Sequence, residues 1–396
     1  MNPPPVVDGR ALQPGFKAHF ERGIGRYAKN LLREMLALTG PVGLELLVRA
    51  DLPDPALDAR VRRLPVPPPP GWVLRYRDEY SQMFSVGQAL AASWRRGQLV
   101  HLLAHLDAPP LSLGPKTVIT VHDLIAEKLA ALYQAGRSSW RFRLERRLEA
   151  RCLTRAARLI AVSQCTKNDL VELHGLDPGR ITVIPEAADP GLTPVEDPEL
   201  RAEVLGRYGL AGVGPFLLYI GGIDQRKDIH SLLEALAALT RQGLAVRLAM
   251  AGRVEKDRQF PAFLAKIEEL GLARQVYLLG FVADRDLPAL FSAAVGFVFP
   301  SLYEGFGLPP LEAMACGAPV VAVRAAAVPE VVGRAGLLTP PGDPRALASA
   351  LEALWTRPEL RLELKARGLA RVREFSWRRT AQLTLALYQE VAGEAR

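Results

Sequence analysis

Cysteine is scarce in this sequence: three in 396 residues, at Cys152, Cys165 and Cys316, far apart and odd in number. That excludes a disulfide framework and any CxxC zinc site, and it fits a reducing cytoplasm. Long apolar runs are missing as well, and nothing approaches the roughly 18 apolar residues that a membrane-spanning helix needs. The opening MNPPPVVDGRALQPG has no charged stretch followed by an apolar one, so no secretory signal is expected. Acidic residues are the minority, 42 against 50 Lys and Arg, for a formal net charge of +8. Such an excess favours anionic partners, whether phosphates, nucleic acid or an acidic membrane, without choosing among them.

What is present is ordinary globular composition, 49% hydrophobic and 23% charged, in a length that suits two domains. Short β-branched runs alternate with longer amphipathic stretches, the pattern of parallel α/β layers. LELLV (44–48), TVITV (117–121), RLIAV (158–162) and ITVIP (181–185) read as buried strands of the first half. Residues 23–38 place Ile24, Tyr27, Leu31, Met35 and Leu38 on one helical face. Residues 186–214, rich in Pro, Gly and acids, read as an interdomain linker with one short helical piece. The alternation then restarts with PFLLYIGG, a helix from about Ile229 to Leu239, VRLAMAG, VYLLG, VGFVFPS and PVVAV. The expected architecture is two facing Rossmann-like domains with parallel sheets and a cleft between strand ends, 1–200 and 201–375, with residues 376–396 returning to the first. Pro65 and Pro67 to Pro70 read as a stiff surface loop.

The strongest local signal is SLYEGFGLPPLEAMACG (301–317), directly after VGFVFP. Gly305 and Gly307 permit close backbone approach to a ligand. Pro309 and Pro310 suit a first helical turn, and Gly317 suits its far end. A strand, a glycine loop and a helix N-terminus together make an anion site. Glu304 and Glu312, eight residues apart, can accept hydrogen bonds from sugar hydroxyls; either could also be a solvated Glu near a helix start.

A second site is YIGGIDQRKD (219–228), where Gly221 and Gly222 follow a buried strand and Arg226 and Lys227 enter a helix. Two cations there oppose the helix dipole and suit a diphosphate whose charge grows as a bond to it breaks. His122 and Asp123 follow TVITV at its carboxyl end, where parallel sheets place functional side chains. Gly23, Gly25 and Ala28 fit G-x-G-x-x-A with Asp51 beyond, a formal dinucleotide fingerprint and the basis of a rival reading as a nicotinamide dehydrogenase. Its context fails, because no strand feeds straight into Gly23.

Two metal patterns are set aside. His101 and His105 in HLLAH lack the Glu of a zinc-protease motif. Asp284 and Asp286 precede LPALFSAA and read as helix cap and first-turn acids. Residues 137–158 carry eight arginines against two glutamates, with Trp140, Leu144, Leu148 and Cys152 on one face. That helix either lies on an anionic membrane or is solvated and packs on its domain; no nucleic-acid motif accompanies it.

The segment 301–317 resembles the E-x7-E signature of retaining glycosyltransferases of family 4, which have the GT-B fold. Nearly the whole chain shares the resemblance, through VVDGRALQP, GIGRYAKNLL, VHDLI, IAVSQCTKNDL, VIPEAAD, YIGGIDQRKDIHSLLEAL, LGFV and FSWRRTAQLTLALY. It implies that Glu304 contacts the donor sugar and Glu312 the ribose, with Gly305, Phe306, Gly307 and Leu308 near sugar and phosphate. Arg226 and Lys227 would hold the diphosphate. The family often has Arg where this chain has Gly222, which leaves that task to Arg226. Gly23 and Gly25 would face the diphosphate, His122 the donor sugar, and Asp123 the acceptor. The backbone near Phe281 and Val282 would meet the base.

The implied activity is metal-independent hexosyl transfer with retention from a nucleoside-diphosphate sugar to a saccharide or lipid-linked hydroxyl. No cofactor and no nucleic acid are expected. GIGRY with HDL looks most like bacterial mannosyltransferases of surface polysaccharide synthesis, so GDP-mannose leads and UDP-glucose follows. A relative that only binds nucleotide sugar is the alternative. A cytoplasmic location follows, with the basic helix as the point of any contact with the inner face of the plasma membrane.

Overall fold

The computed structural model describes residues 3–16, 23–68, 78–109, 113–129 and 140–394. The chain divides into two compact units, Met1–Glu186 with Ser376–Arg396, and Ala187–Phe375.

The first unit is built on a parallel sheet of seven strands among the described residues: β1 (Val6–Asp8), β2 (Glu45–Arg49), β3 (Arg62–Val66), β4 (Val100–Leu102), β5 (Thr117–Val121), β6 (Arg158–Ala161) and β7 (Ile181–Val183). Their spatial order is β3-β2-β1-β4-β5-β6-β7. β5 is buried at every position, as a β-branched run covered on both faces should be. The edge strand β3 instead carries two arginines and Pro65, which an interior strand could not accommodate.

The helix Gly23–Thr39 turns Tyr27, Ala28, Leu31, Leu32 and Met35 inward and packs along the last helix, Trp377–Glu394. Burial of each such Leu or Met contributes about 1.5–3 kcal/mol. Polar ties fix the returning helix. Tyr388 Oη lies 2.6 Å from His101 Nδ1, and Thr380 Oγ1 donates to the Pro185 carbonyl at 2.7 Å. Trp377 meets Tyr27 edge-on at 5.6 Å.

The second unit repeats the plan with β8 (Leu217–Ile220), β9 (Leu248–Ala251), β10 (Val276–Gly280), β11 (Gly296–Phe299), β12 (Val320–Val323) and β13 (Gly336–Thr339), ordered β10-β9-β8-β11-β12-β13. The helix Ile229–Arg241 buries Leu232, Leu233, Leu236 and Leu239 in a core shared with Leu217, Tyr219 and Met250. In both sheets the order reverses beside the unit's first strand, between β1 and β4 and between β8 and β11. At such a switch point adjacent loops leave in opposite directions and open a crevice at the strands' carboxyl ends.

Three expectations change. The division falls at Glu186, not near residue 200. The helix Pro198–Arg207 is anchored in the second unit, because Arg207 Nη1 and Tyr208 Oη both donate to Asp286, at 2.6 and 2.8 Å. That same bonding revises the role of the Asp284–Asp286 pair. Asp286 precedes the helix Leu287–Ala293 but makes no side-chain cap, its carboxylate being taken by Arg207 and Tyr208.

On the basic helix, Trp140–Arg155, the expected stripe of Leu144, Leu148 and Cys152 is only partly covered, and the side chain of Trp140 lies outside the described residues. Cys152, Leu153 and Glu149 are buried, whereas Leu144 is 42% exposed. Residues 137–139 and the end of the proline run, 69–70, lie outside the described residues.

Candidate functional site

The switch point of the second unit lies between β8 and β11, so the loops that follow those strands build the site. They are tied to each other: Leu302 N donates to the Arg226 carbonyl at 2.7 Å. The β8 loop runs through Gly221 and Gly222 to a single turn, Gln225–Lys227, just before the Ile229–Arg241 helix. Gly221 has φ +153°, and a Cβ on Gly252 would come within 2.2 Å of the Gly221 carbonyl oxygen. The ends of β8 and β9 therefore meet as bare backbone.

The β11 loop carries Ser301, Glu304 and Gly307 into the helix Leu308–Ala315. Gly307, at φ +109° and ψ 48°, is the residue before that helix, a conformation costly to any side chain. Pro309 and Pro310 occupy the first turn, and Gly317 follows in the left-handed region at φ +75°. Phe306 packs edge-on against Phe375 at 5.9 Å. Glu312 is buried in the helix at 6% exposure.

Glu304 is the centre of the cluster. One carboxylate oxygen, Oε1, accepts from Arg226 Nη1 at 2.6 Å, Lys227 Nζ at 2.6 Å and Ser301 Oγ at 2.7 Å. Burial alone would push the Glu304 carboxyl up, but the charges of Lys227 and Arg226 and the hydrogen bonds of Lys227 and Ser301 outweigh it, and the group stays below the usual range. Lys227 is itself 9% exposed, with its ammonium 5.1 Å over the Phe299 ring. Two cations and a carboxylate at a helix entrance form a charge-dense cluster that can exchange partners: the cations toward a phosphate, the carboxylate toward hydroxyls.

After β10, Val282 is buried while Phe281 is 57% exposed, with the Arg253 guanidinium 4.5 Å from its ring centroid. Sequence reasoning passed over Arg253 and Ser301. Ser301 was open to detection, being the first residue of the segment singled out.

In the first unit His122 follows β5. Its Nδ1 lies 3.0 Å from Glu186 Oε1 and its Nε2 2.9 Å from the Leu103 carbonyl. Tyr27 meets the ring edge-on at 4.7 Å. Both ring nitrogens are thus occupied, and the imidazole is not an available base in this arrangement. Asp123 Oδ1 accepts from the Ile125 amide at 3.1 Å, holding the loop. Gly23 and Gly25 open the first turn of their helix, fifteen positions after β1 ends at Asp8, so the dinucleotide fingerprint lacks its strand-to-turn geometry. Asp51 is engaged by Arg49 at 2.7 Å. His101 is held between Tyr388 and Thr120, in a strand and not in a zinc helix.

Two doubly wound parallel units are the fold of the GT-B glycosyltransferases. Across 99% of both chains the protein superposes on sucrose-phosphate synthase of Thermosynechococcus elongatus with a TM-score of 0.76 at 24% identity. Residues 22–192 match the family Glycosyltransferase Family 4, and residues 214–357 match Glycosyl transferases group 1. The chain is 30% identical over 410 residues to the MMP alpha-(1->4)-mannosyltransferase of Mycolicibacterium hassiacum, covering 93% of this chain and 94% of that one. It is 36% identical over 241 residues to O-antigen chain mannosyltransferase B of Escherichia coli, covering 60% of this chain and 61% of that relative's length. The chain belongs to glycosyltransferase family 4.

Proposed function

We propose that the protein transfers a hexose, mannose in the favoured case, from a nucleoside-diphosphate donor to a hydroxyl acceptor with retention at the anomeric carbon. The observation that carries this reading is the shared contact of Arg226 and Lys227 on Glu304 at the β8–β11 switch point. When a donor arrives, the two cations turn from Glu304 to its diphosphate, and Glu304 is released to the sugar hydroxyls. The bond from C1 to the β-phosphate oxygen then breaks. The acceptor oxygen bonds to C1 on the same face, and its proton passes to the departing phosphate. Arg226, Lys227 and the start of the Leu308–Ala315 helix neutralise the charge that develops, which is the service a metal gives in other transferases. Glu312 is read against the ribose, with backbone of Gly305 to Leu308 near sugar and phosphate. Gly221, Gly222, Gly23 and Gly25 are read as bare backbone for the diphosphate, Val282 as backbone for the base, and Asp123 as acceptor-side.

Mannose and GDP-mannose are favoured because two relatives are named mannosyltransferases. The acceptor class is a saccharide or lipid-linked saccharide, in keeping with the relative named for O-antigen chains. The deciding assay incubates the protein with GDP-mannose or UDP-glucose, with and without EDTA, and measures donor consumption and product anomer. Consumption of GDP-mannose that survives EDTA and yields the retained anomer is expected. Turnover of UDP-glucose alone would reassign the donor, and no nucleotide release from any donor would leave a binding protein.

A further inference from the structure

His122 is hemmed in by acceptors. Nε2 faces a backbone carbonyl, which can only accept, so that nitrogen carries a proton. Nδ1 faces the Glu186 carboxylate, which when ionised also only accepts. Both bonds are satisfied at once by the doubly protonated ring. Other groups packed around it do not compete for that charge. Tyr27 meets the imidazole edge-on, and its hydroxyl is bonded to Thr120 Oγ1 at 3.3 Å. His101 on β4 and His105 beyond it are pushed by burial to about 3, so both are neutral. Asp123 on the same loop adds a second negative charge nearby.

We propose that Glu186 is a positioning residue for the transfer reaction, holding His122 as a fixed imidazolium at the carboxyl end of β5. Burial works against a charge on the ring, but the hydrogen bond and charge of Glu186, with the Leu103 carbonyl, outweigh it and keep the imidazole above its ordinary range. His122 then acts as a stationary cation and not as a proton shuttle, an orientation and charge that persist whether or not donor is bound. The placement of Glu186 favours this role: it is the last residue of the first unit, and the carbonyl before it is clamped by Thr380. The part of the inference that concerns transfer rests on the proposed function; the part that concerns the proton on His122 does not.

The test uses the full chain, its histidines labelled with nitrogen-15, as parent, Glu186→Gln and Glu186→Ala. Ring nitrogen shifts of His122 are followed against pH, with His122→Gln to assign them. In the parent the ring stays doubly protonated through pH 7. In Glu186→Gln, which keeps an acceptor but removes the charge, its titration falls by about 1–3 pH units. With GDP-mannose, kcat of Glu186→Gln at pH 8 falls at least tenfold, recovers as pH drops through the new His122 titration, and KM for donor moves little. A merely structural role would not give that acid rescue. A neutral His122 in the parent at pH 7, or an unmoved titration in either variant, overturns the proposal. So does a shifted titration with an unchanged kcat–pH profile. If the parent transfers no sugar from any donor, the proposed function fails, while the nitrogen shifts still decide the state of His122.

Discussion

Lys227 and Glu304 stand 77 positions apart in the chain, yet Lys227 Nζ and Glu304 Oε1 are 2.6 Å apart, on loops from adjacent strands that diverge at the switch point. The contact is an ion pair with Arg226 and Ser301 as its other members. The carboxylate that would address the sugar also neutralises the cations that would address the diphosphate.

Replacing Glu304 by Gln is expected to abolish transfer with the fold retained. Because the Glu304 carboxyl sits below its usual range in the folded protein, its contribution to stability is complete at neutral pH. It fades as pH falls below the unfolded value of about 4.3 and through the lower folded one. Thermal unfolding of parent and variant between pH 7 and pH 3 checks this: the gap between their midpoints should close on acidification. A gap that widens toward acid would contradict the assignment.

Lys227→Ala removes one charged hydrogen bond that a diphosphate would inherit, worth about 1.5–3 kcal/mol. Binding of GDP should weaken about ten- to a hundredfold while guanosine is unaffected. Calorimetric titration with both ligands separates a phosphate contact from a general loosening of the site; equal losses for the two would count against the phosphate role.

Gly307→Ala places a side chain at φ +109°, in a region essentially closed to it. A cost of about 1–3 kcal/mol is expected, with loss of transfer larger than the loss of thermal stability implies. Circular dichroism melting beside a turnover assay reads both. An Ala variant with parental melting and turnover would show that the turn does not require glycine.

Tyr388→Phe deletes the hydroxyl that meets His101 Nδ1 at 2.6 Å in a buried setting. A loss of about 0.5–1.5 kcal/mol follows, seen as a midpoint lowered by about 1–6 °C for a unit of this size, with the donor KM unchanged.

Much of this was legible in the sequence for a plain reason: buried parallel strands are continuous apolar runs, so TVITV, RLIAV and VGFVFP announced β5, β6 and β11. β3, β4 and β13 were not seen. RRLPV is an edge strand of the first sheet with charges and a proline, VHL is only three residues long, and GLLT is a four-residue edge strand of the second sheet, so none carries the usual signal. At the site, Glu304, Arg226 and Lys227 stood out because charges at helix entrances and glycine-flanked acids are locally unusual. Their mutual bonding was not legible, since it depends on the β8–β11 adjacency. Glu186 was hidden for the same cause: it sits in a stretch that reads as linker, and its partner His122 is 64 positions away. The inward face of the Trp140–Arg155 helix was misread because Leu144 and Cys152 share a helical row, and only tertiary packing decides which end of that row is covered.

The returning helix sets an order of assembly. Residues 187–375 form a unit without interruption, whereas the first unit closes only when the helix Trp377–Glu394 lies on the Gly23–Thr39 helix and Tyr388 reaches His101. On the ribosome the half that is made first must therefore wait. The apolar side of its Gly23–Thr39 helix stays open to solvent or to a chaperone while the second unit is translated and completes its own core. Residues 377–394, made after the whole of the second unit, are then the ones that seal the first, and losing them would leave the first unit unfinished.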